Sequence, residues 1–120
     1  MSILAGLETI IAALKSGGIA ATLDPRDLNP PGAWAAARRA EDFSLCNRPT
    51  LLIADVYLIV RDVGAPGALA ALDELLELAL DALGAAGIGI TTVALDEALT
   101  IPSGGAPLPA YRLTVQVIGD

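Results

Sequence analysis

Ile3, Leu4, Leu7, Ile10, Ile11 and Leu14 recur at three- and four-residue steps, the spacing of one helix face, and Gly17-Gly18 follow as a stop. The spacing predicts an amphipathic helix. Ile19 to Leu23 is short and apolar and closes on Asp24-Pro25, the pattern of a strand ending in a turn. Ala33 to Arg39 (AWAAARR) is rich enough in alanine for a helix, but its place between two breaker-rich segments favours a strand. After the polar segment Glu41 to Pro49, the run LLIADVYLIV from Leu51 to Val60 is nearly all apolar and partly β-branched, as a central strand covered on both faces would be. Alternation puts Leu52, Ala54, Val56, Leu58 and Val60 on one side, and Leu51, Ile53, Asp55, Tyr57 and Ile59 on the other. If the first side meets the helices, Leu51, Ile53 and Ile59 on the second are too apolar for water, which favours an assembled state.

Pro66 stands where a first helical turn tolerates it, and Leu69, Leu72, Leu75, Leu76, Leu80 and Leu83 then trace an apolar stripe opposite Asp73, Glu74, Glu77 and Asp81. This second helix ends near Gly84 or Gly87. Strands are expected at Ile88 to Leu95 and Ala110 to Ile118, the latter alternating Tyr111, Leu113, Val115 and Val117 with Arg112, Thr114 and Gln116. Between them Asp96 to Pro109 is rich in glycine and proline, the composition of a mobile hairpin tip. The expected fold is α+β: one mixed β-sheet of about five strands with two helices packed on one face, in the order α-β-β-β-α-β-β, as one domain over residues 1–120.

The least ordinary segment is Leu23 to Trp34, LDPRDLNPPGAW. Pro25, Pro30 and Pro31 fix φ and push the preceding residues toward extended backbone, so this twelve-residue connection loses little entropy when a partner docks. A rigid, shaped loop suits protein contact. Trp34, the sole tryptophan, is either a cap on the core or an interface anchor.

Composition narrows the function classes. The chain has 120 residues, 54% of them apolar, and few aromatics, so it can bury one close-packed aliphatic core. Its net charge is -7 and its only basic cluster is Arg38-Arg39, which argues against tight nucleic-acid binding. An acidic surface is compatible with a channel through which DNA slides without sticking. Cys46 is the single cysteine, which excludes an internal disulfide and fits a reducing cytoplasm. The N-terminus lacks an early basic region and carries Glu8, unlike a secretion signal, and no apolar run approaches the length of a membrane span.

Histidine is absent, so neither a Ser-His nor a Cys-His nucleophile pair can be built. The acidic residues Asp73, Glu74 and Glu77 read as a solvated helix face, and Asp96-Glu97 as a turn. Asp55 inside an apolar strand is the best candidate for perturbed ionisation, through pairing with an arginine such as Arg112 or, less simply, through catalysis. Gly17-Gly18 and Gly104-Gly105 have neither Walker nor dinucleotide spacing and read as turns. No catalytic residue, cofactor or metal is expected.

LDPRDLNPPGAW after an N-terminal helix, together with PAYRLTVQV from Pro109 to Val117, resembles tail terminator proteins of long, non-contractile-tailed (siphovirus-type) bacteriophages, especially those infecting actinobacteria. The resemblance covers most of the chain and also favours a strand at Ala33 to Arg39. It implies a virion protein: a ring, commonly hexameric, on the head-proximal end of the tail tube, which stops tube growth and joins the tail to the head. The implied partners are copies of itself, the major tail tube protein, a head-tail connector or head closure protein, and genomic DNA passing through the lumen without specific binding. Rigidity and exposure then nominate Arg26, Asp27, Asn29, Pro30, Pro31 and Trp34 for a subunit or tube contact, and Ser103, Gly104, Gly105 and Pro107 for a tip reaching a neighbour or the neck. Alternatives are another neck component, such as a tail completion or head closure protein, or a small cytoplasmic ligand-binding domain or enzyme.

Overall fold

The computed structural model describes residues 2–43, 49–61, 64–100 and 107–118. Helix α1 (Ile3–Ser16) starts at Ser2, whose hydroxyl oxygen accepts the Ala5 N–H at 3.0 Å. Helix α2 (Ala65–Ala85) is the second. Both helices end in the same way. Gly18 and Gly87 take positive φ of 86° and 75°, and the next N–H turns back, from Ile19 to the Leu14 carbonyl at 3.0 Å and from Ile88 to the Leu83 carbonyl at 2.9 Å. These are Schellman caps, each closed by an isoleucine that is itself buried in the core.

The strands are β1 (Ala21–Thr22), β2 (Gly32–Phe43), β3 (Pro49–Ile59), β4 (Gly89–Leu99) and β5 (Leu108–Ile118). They form one sheet in the order β1-β2-β3-β5-β4. β1 runs parallel to β2 and the other pairs are antiparallel, which makes the expected mixed α+β sheet with both helices on one face. The sequence expectation stops two strand pairs short of their length. β2 continues through Glu41 to Phe43 and β3 begins at Pro49, while β4 continues to Leu99 and β5 begins at Leu108. Cross-strand pairing carries these polar ends as strand where composition suggested loop. The molecule is correspondingly long, 51 × 28 × 22 Å.

Leu52, Ala54, Val56, Leu58 and Val60 lie on the helix side, as alternation requires, with Leu113 and Val115 of β5 beside them. Alanines at 33, 35 and 54 are fully or almost fully buried, and their small side chains let α1 set Ile10 and Leu14 against the sheet. Each fully buried aliphatic side chain contributes roughly 1.5–3 kcal/mol. On α2 the stripe that meets the sheet is Ala68, Leu72, Leu75, Ala79 and Leu83. Leu69 and Leu80 of the expected stripe are 53% and 38% exposed, and Ile3 and Leu4 of α1 are exposed too. The apolar arc of each helix is wider than the strip the sheet can cover, and alanine sits where approach is closest.

Candidate interaction surface

The connection from β1 back to β2 must reverse the chain and return it parallel to where it started. Leu23 to Pro31 does this, and the predicted twelve-residue connection is shorter than expected because Gly32, Ala33 and Trp34 already belong to β2. A short 3-10 turn occupies Pro25–Asp27. Asp24 caps it, its carboxylate accepting the Arg26 N–H at 3.0 Å, while the Arg26 guanidinium folds back on the same carboxylate with Nη2 to Oδ2 at 2.9 Å. The Arg26 side chain, and then its backbone N–H, hold the Asp24 carboxyl below its ordinary pKa, and the carboxylate raises that of Arg26. The Thr22 hydroxyl accepts the Asp24 N–H at 3.1 Å. The Pro30-Pro31 bond is cis.

Three contacts fasten this segment to the sheet. The Trp34 indole N–H donates to the Leu23 carbonyl at 3.1 Å, Arg61 Nε donates to the Pro30 carbonyl at 3.2 Å, and Leu28 is buried. Leu28, Ile59 and Ala110 form a second, smaller core on the sheet face away from the helices, with Trp34, Tyr57, Leu99 and Leu108 packed around it. Ile59 is therefore fully buried, and Ile53 is 4% exposed, within the single chain. The expectation that Leu51, Ile53 and Ile59 need a neighbouring subunit to cover them is corrected for two of the three: Leu28 and the flanking strands cover Ile59, Ile53 is buried between its strand neighbours Arg39 and Gln116, and Leu51 is half-buried. Ile118, 81% exposed at the other end, is the apolar residue of that face left in water.

The nominated residues separate. Arg26, Asp27 and Asn29 are exposed on the turn. Pro31 points elsewhere, lining a groove of about 260 Å³ with Ile19, Leu75 and Leu78 on the helix side. Trp34 is half-buried within β2 and stacks on Tyr57. Pro107 is exposed just before β5, and Ser103, Gly104 and Gly105 lie outside the described residues. Both flanks of the expected tip from Asp96 to Pro109 are strand, β4 as far as Leu99 and β5 from Leu108, and residues 101–106 lie outside the described residues.

Asp55 does meet an arginine, but it is Arg38 that comes within 3.9 Å of its carboxylate, and the Thr114 hydroxyl donates to the same oxygen at 3.1 Å. A bulge between Ala37 and Arg39 brings this about by inserting Arg38 as an extra residue opposite β3. On the helix side the Tyr111 hydroxyl donates to Asp73 at 3.3 Å. Burial, the Asp73 charge and this hydrogen bond together push the Tyr111 phenol up. Among the described residues no group of three His, Cys, Asp or Glu side chains could hold a metal ion, and no helix is long and apolar enough to cross a membrane.

Sequence reasoning missed Leu28, Arg61 and Tyr57, which together hold the loop in place. Leu28 carried a signal, as the lone large apolar residue in a polar turn; Arg61 carried none. No protein-family model matches this chain, and no curated protein matches it.

Proposed function

We propose that this chain is a structural subunit of a phage tail, a ring-forming tail terminator that occupies the head-proximal end of the tail tube, stops its polymerisation and joins it to the head connector. The observation that carries the reading is the preorganised Leu23 to Pro31 turn. It is tied down at Asp24, Leu28 and Pro30 and presents Arg26, Asp27 and Asn29 to solvent. A surface whose backbone is already ordered loses little entropy on docking, which suits a contact that must form once and persist. The resemblance of this same segment to tail terminators supplies the identity of the assembly.

The mechanism is occupancy of a growing end. Each subunit gives one surface to its ring neighbour, one to the tube and one to the neck, so no further tube subunit can add; a heterologous interface closing on itself supplies that geometry. Nothing in this mechanism calls for catalysis, a cofactor or sequence-specific DNA contact. The test is negative-stain electron microscopy of lysates from the encoding phage with this gene deleted. Overlong, headless tails are expected. Headless tails of normal length assign the protein to another neck role, and intact infectious particles overturn the virion reading.

A further inference from the structure

The helix layer carries an open groove along α2. Ala71, Leu75, Leu78, Ala82 and Ala85 recur at three- and four-residue steps, so they share one side of the helix, and that side lines two hollows of about 260 and 430 Å³ that meet at Leu78. The opposite wall is the end of α1 with the turn after it: Ala13 and Gly17 border the larger hollow, Ile19 and Pro31 the smaller. Gly17 lets α1 approach Ala82 so closely that an added Cβ would stand 2.6 Å from the alanine methyl, which leaves the floor of the larger hollow to alanine and backbone. Between the hollows Leu78 is 48% exposed, whereas Leu75, one turn earlier, is buried. A large apolar side chain standing between two apolar hollows is surface shaped for a partner.

Each hollow also has one carboxylate. Glu74 lines the smaller and Asp81 the larger; both are exposed, and among the described residues neither has an ion-pair partner. No basic residue lines either hollow. Glu74 and Asp81 are two helical turns apart, ~10.5 Å along α2, so apolar volume and negative charge repeat together with the same period.

We infer that this groove docks a cationic amphipathic helix of another protein. Two of its apolar side chains, two turns apart, fill the hollows, a small residue passes over Leu78, and a lysine or arginine faces each carboxylate. The groove runs from Ala71 to Ala86, ~22 Å, which about fifteen residues of helix would cover. Charge selects against the helices of a second copy as the occupant: α2 contains no basic residue, and α1 offers only Lys15 together with Glu8. The inference rests on the helix layer and goes beyond the tail-terminator reading without needing it.

The test is fluorescence anisotropy of the full chain with a fluorescein-labelled, alanine-based peptide of about eighteen residues, carrying two leucines two turns apart and a lysine one turn from each. A control peptide of the same composition has its lysines on the face opposite the leucines. The first peptide should bind with a Kd below about 100 µM and the control at least about tenfold more weakly. Leu78→Glu is the deciding variant. It adds negative charge and so strengthens any purely electrostatic attraction to α2, but it should weaken groove binding at least about tenfold. Glu74→Gln with Asp81→Asn should weaken binding at least about fivefold and flatten its dependence on salt. Glu8→Gln, outside the lining of both hollows, should leave it unchanged. Circular dichroism checks that each variant folds. Equal binding of the two peptides, or binding retained by Leu78→Glu, reduces the groove to an acidic surface and overturns the inference, as does no binding at about 500 µM chain.

Discussion

Trp34 and Tyr57 face each other across β2 and β3 with ring centroids 5.1 Å apart and planes inclined by 19°. The pair is a clasp between the sheet and the loop that precedes it, because the same indole donates its N–H to Leu23. Offset stacking of this kind adds roughly 0.5–1.5 kcal/mol beyond the area it covers.

Trp34 therefore contributes to the fold of the single chain. Trp34→Ala should cost about 2–4 kcal/mol in urea unfolding, somewhat below a fully buried tryptophan because the ring is only half-buried. Trp34→Phe keeps the stack and gives up the hydrogen bond to Leu23, a loss of about 1 kcal/mol. Equal losses for the two variants would mean that the ring's area contributes nothing.

Gly17 and Gly18 are neighbours with different reasons to be glycine. At Gly17 φ is -83°, which any residue adopts, but an added Cβ would stand 2.6 Å from the Ala82 Cβ of α2. At Gly18 there is open space and φ is +86°. Gly17→Ala should cost about 1–3 kcal/mol through overpacking, and Ala82→Gly in the same chain should relieve part of it. Gly18→Ala should cost about 1 kcal/mol with no rescue from Ala82→Gly, while Gly18→Asn, which tolerates left-handed backbone, loses less than Gly18→Ala. Thermal denaturation of the five variants separates the two causes.

The helix-facing side of β3 was legible because the apolar run from Leu51 to Val60 has no breaker and successive residues of a strand point to opposite faces, so every second residue could be assigned to one side. The far side was not. Ile53 and Ile59 read as residues in need of a partner molecule, since nothing in the local pattern says that a turn thirty residues upstream lays Leu28 over Ile59, or that the strands beside Ile53 bury it. The ends of the long hairpins were missed for a related reason: Glu41, Asp96 and Glu97 are strand because of the strands beside them. Asp55 was correctly flagged as an aspartate in need of an arginine. Which arginine depends on a bulge, and the run AAARRA contains no mark of where the extra residue falls.

Asp55 gives a second ranking. Its carboxylate side chain is 15% exposed and takes the Thr114 hydroxyl at 3.1 Å, whereas Arg38 is 3.9 Å away and half in solvent. Thr114→Val leaves that acceptor oxygen without its donor and should cost about 1–2 kcal/mol. Arg38→Ala removes a screened pair worth at most about 1 kcal/mol. Chemical denaturation should place Thr114→Val below Arg38→Ala in stability, and the reverse order would make the ion pair the principal support of Asp55.

Tyr111 links stability to alkaline pH. Its ring is buried among the core residues, and its hydroxyl points at the Asp73 carboxylate, so the folded chain favours the protonated phenol and its pKa lies above the ordinary value. The unfolded chain loses this proton at about pH 10, while the folded chain still holds it. Above that pH the native state binds more protons than the unfolded state, so the tyrosine's contribution, fully present below about pH 10, is lost as pH rises toward the folded pKa. Stability measured by urea unfolding should therefore fall from pH 9 to pH 11 in the parent chain, and fall less steeply in Tyr111→Phe. Absorbance titration of a Tyr57→Phe variant isolates the Tyr111 phenolate directly. A midpoint at the free-tyrosine value in the folded chain would mean that neither burial nor Asp73 acts on the hydroxyl.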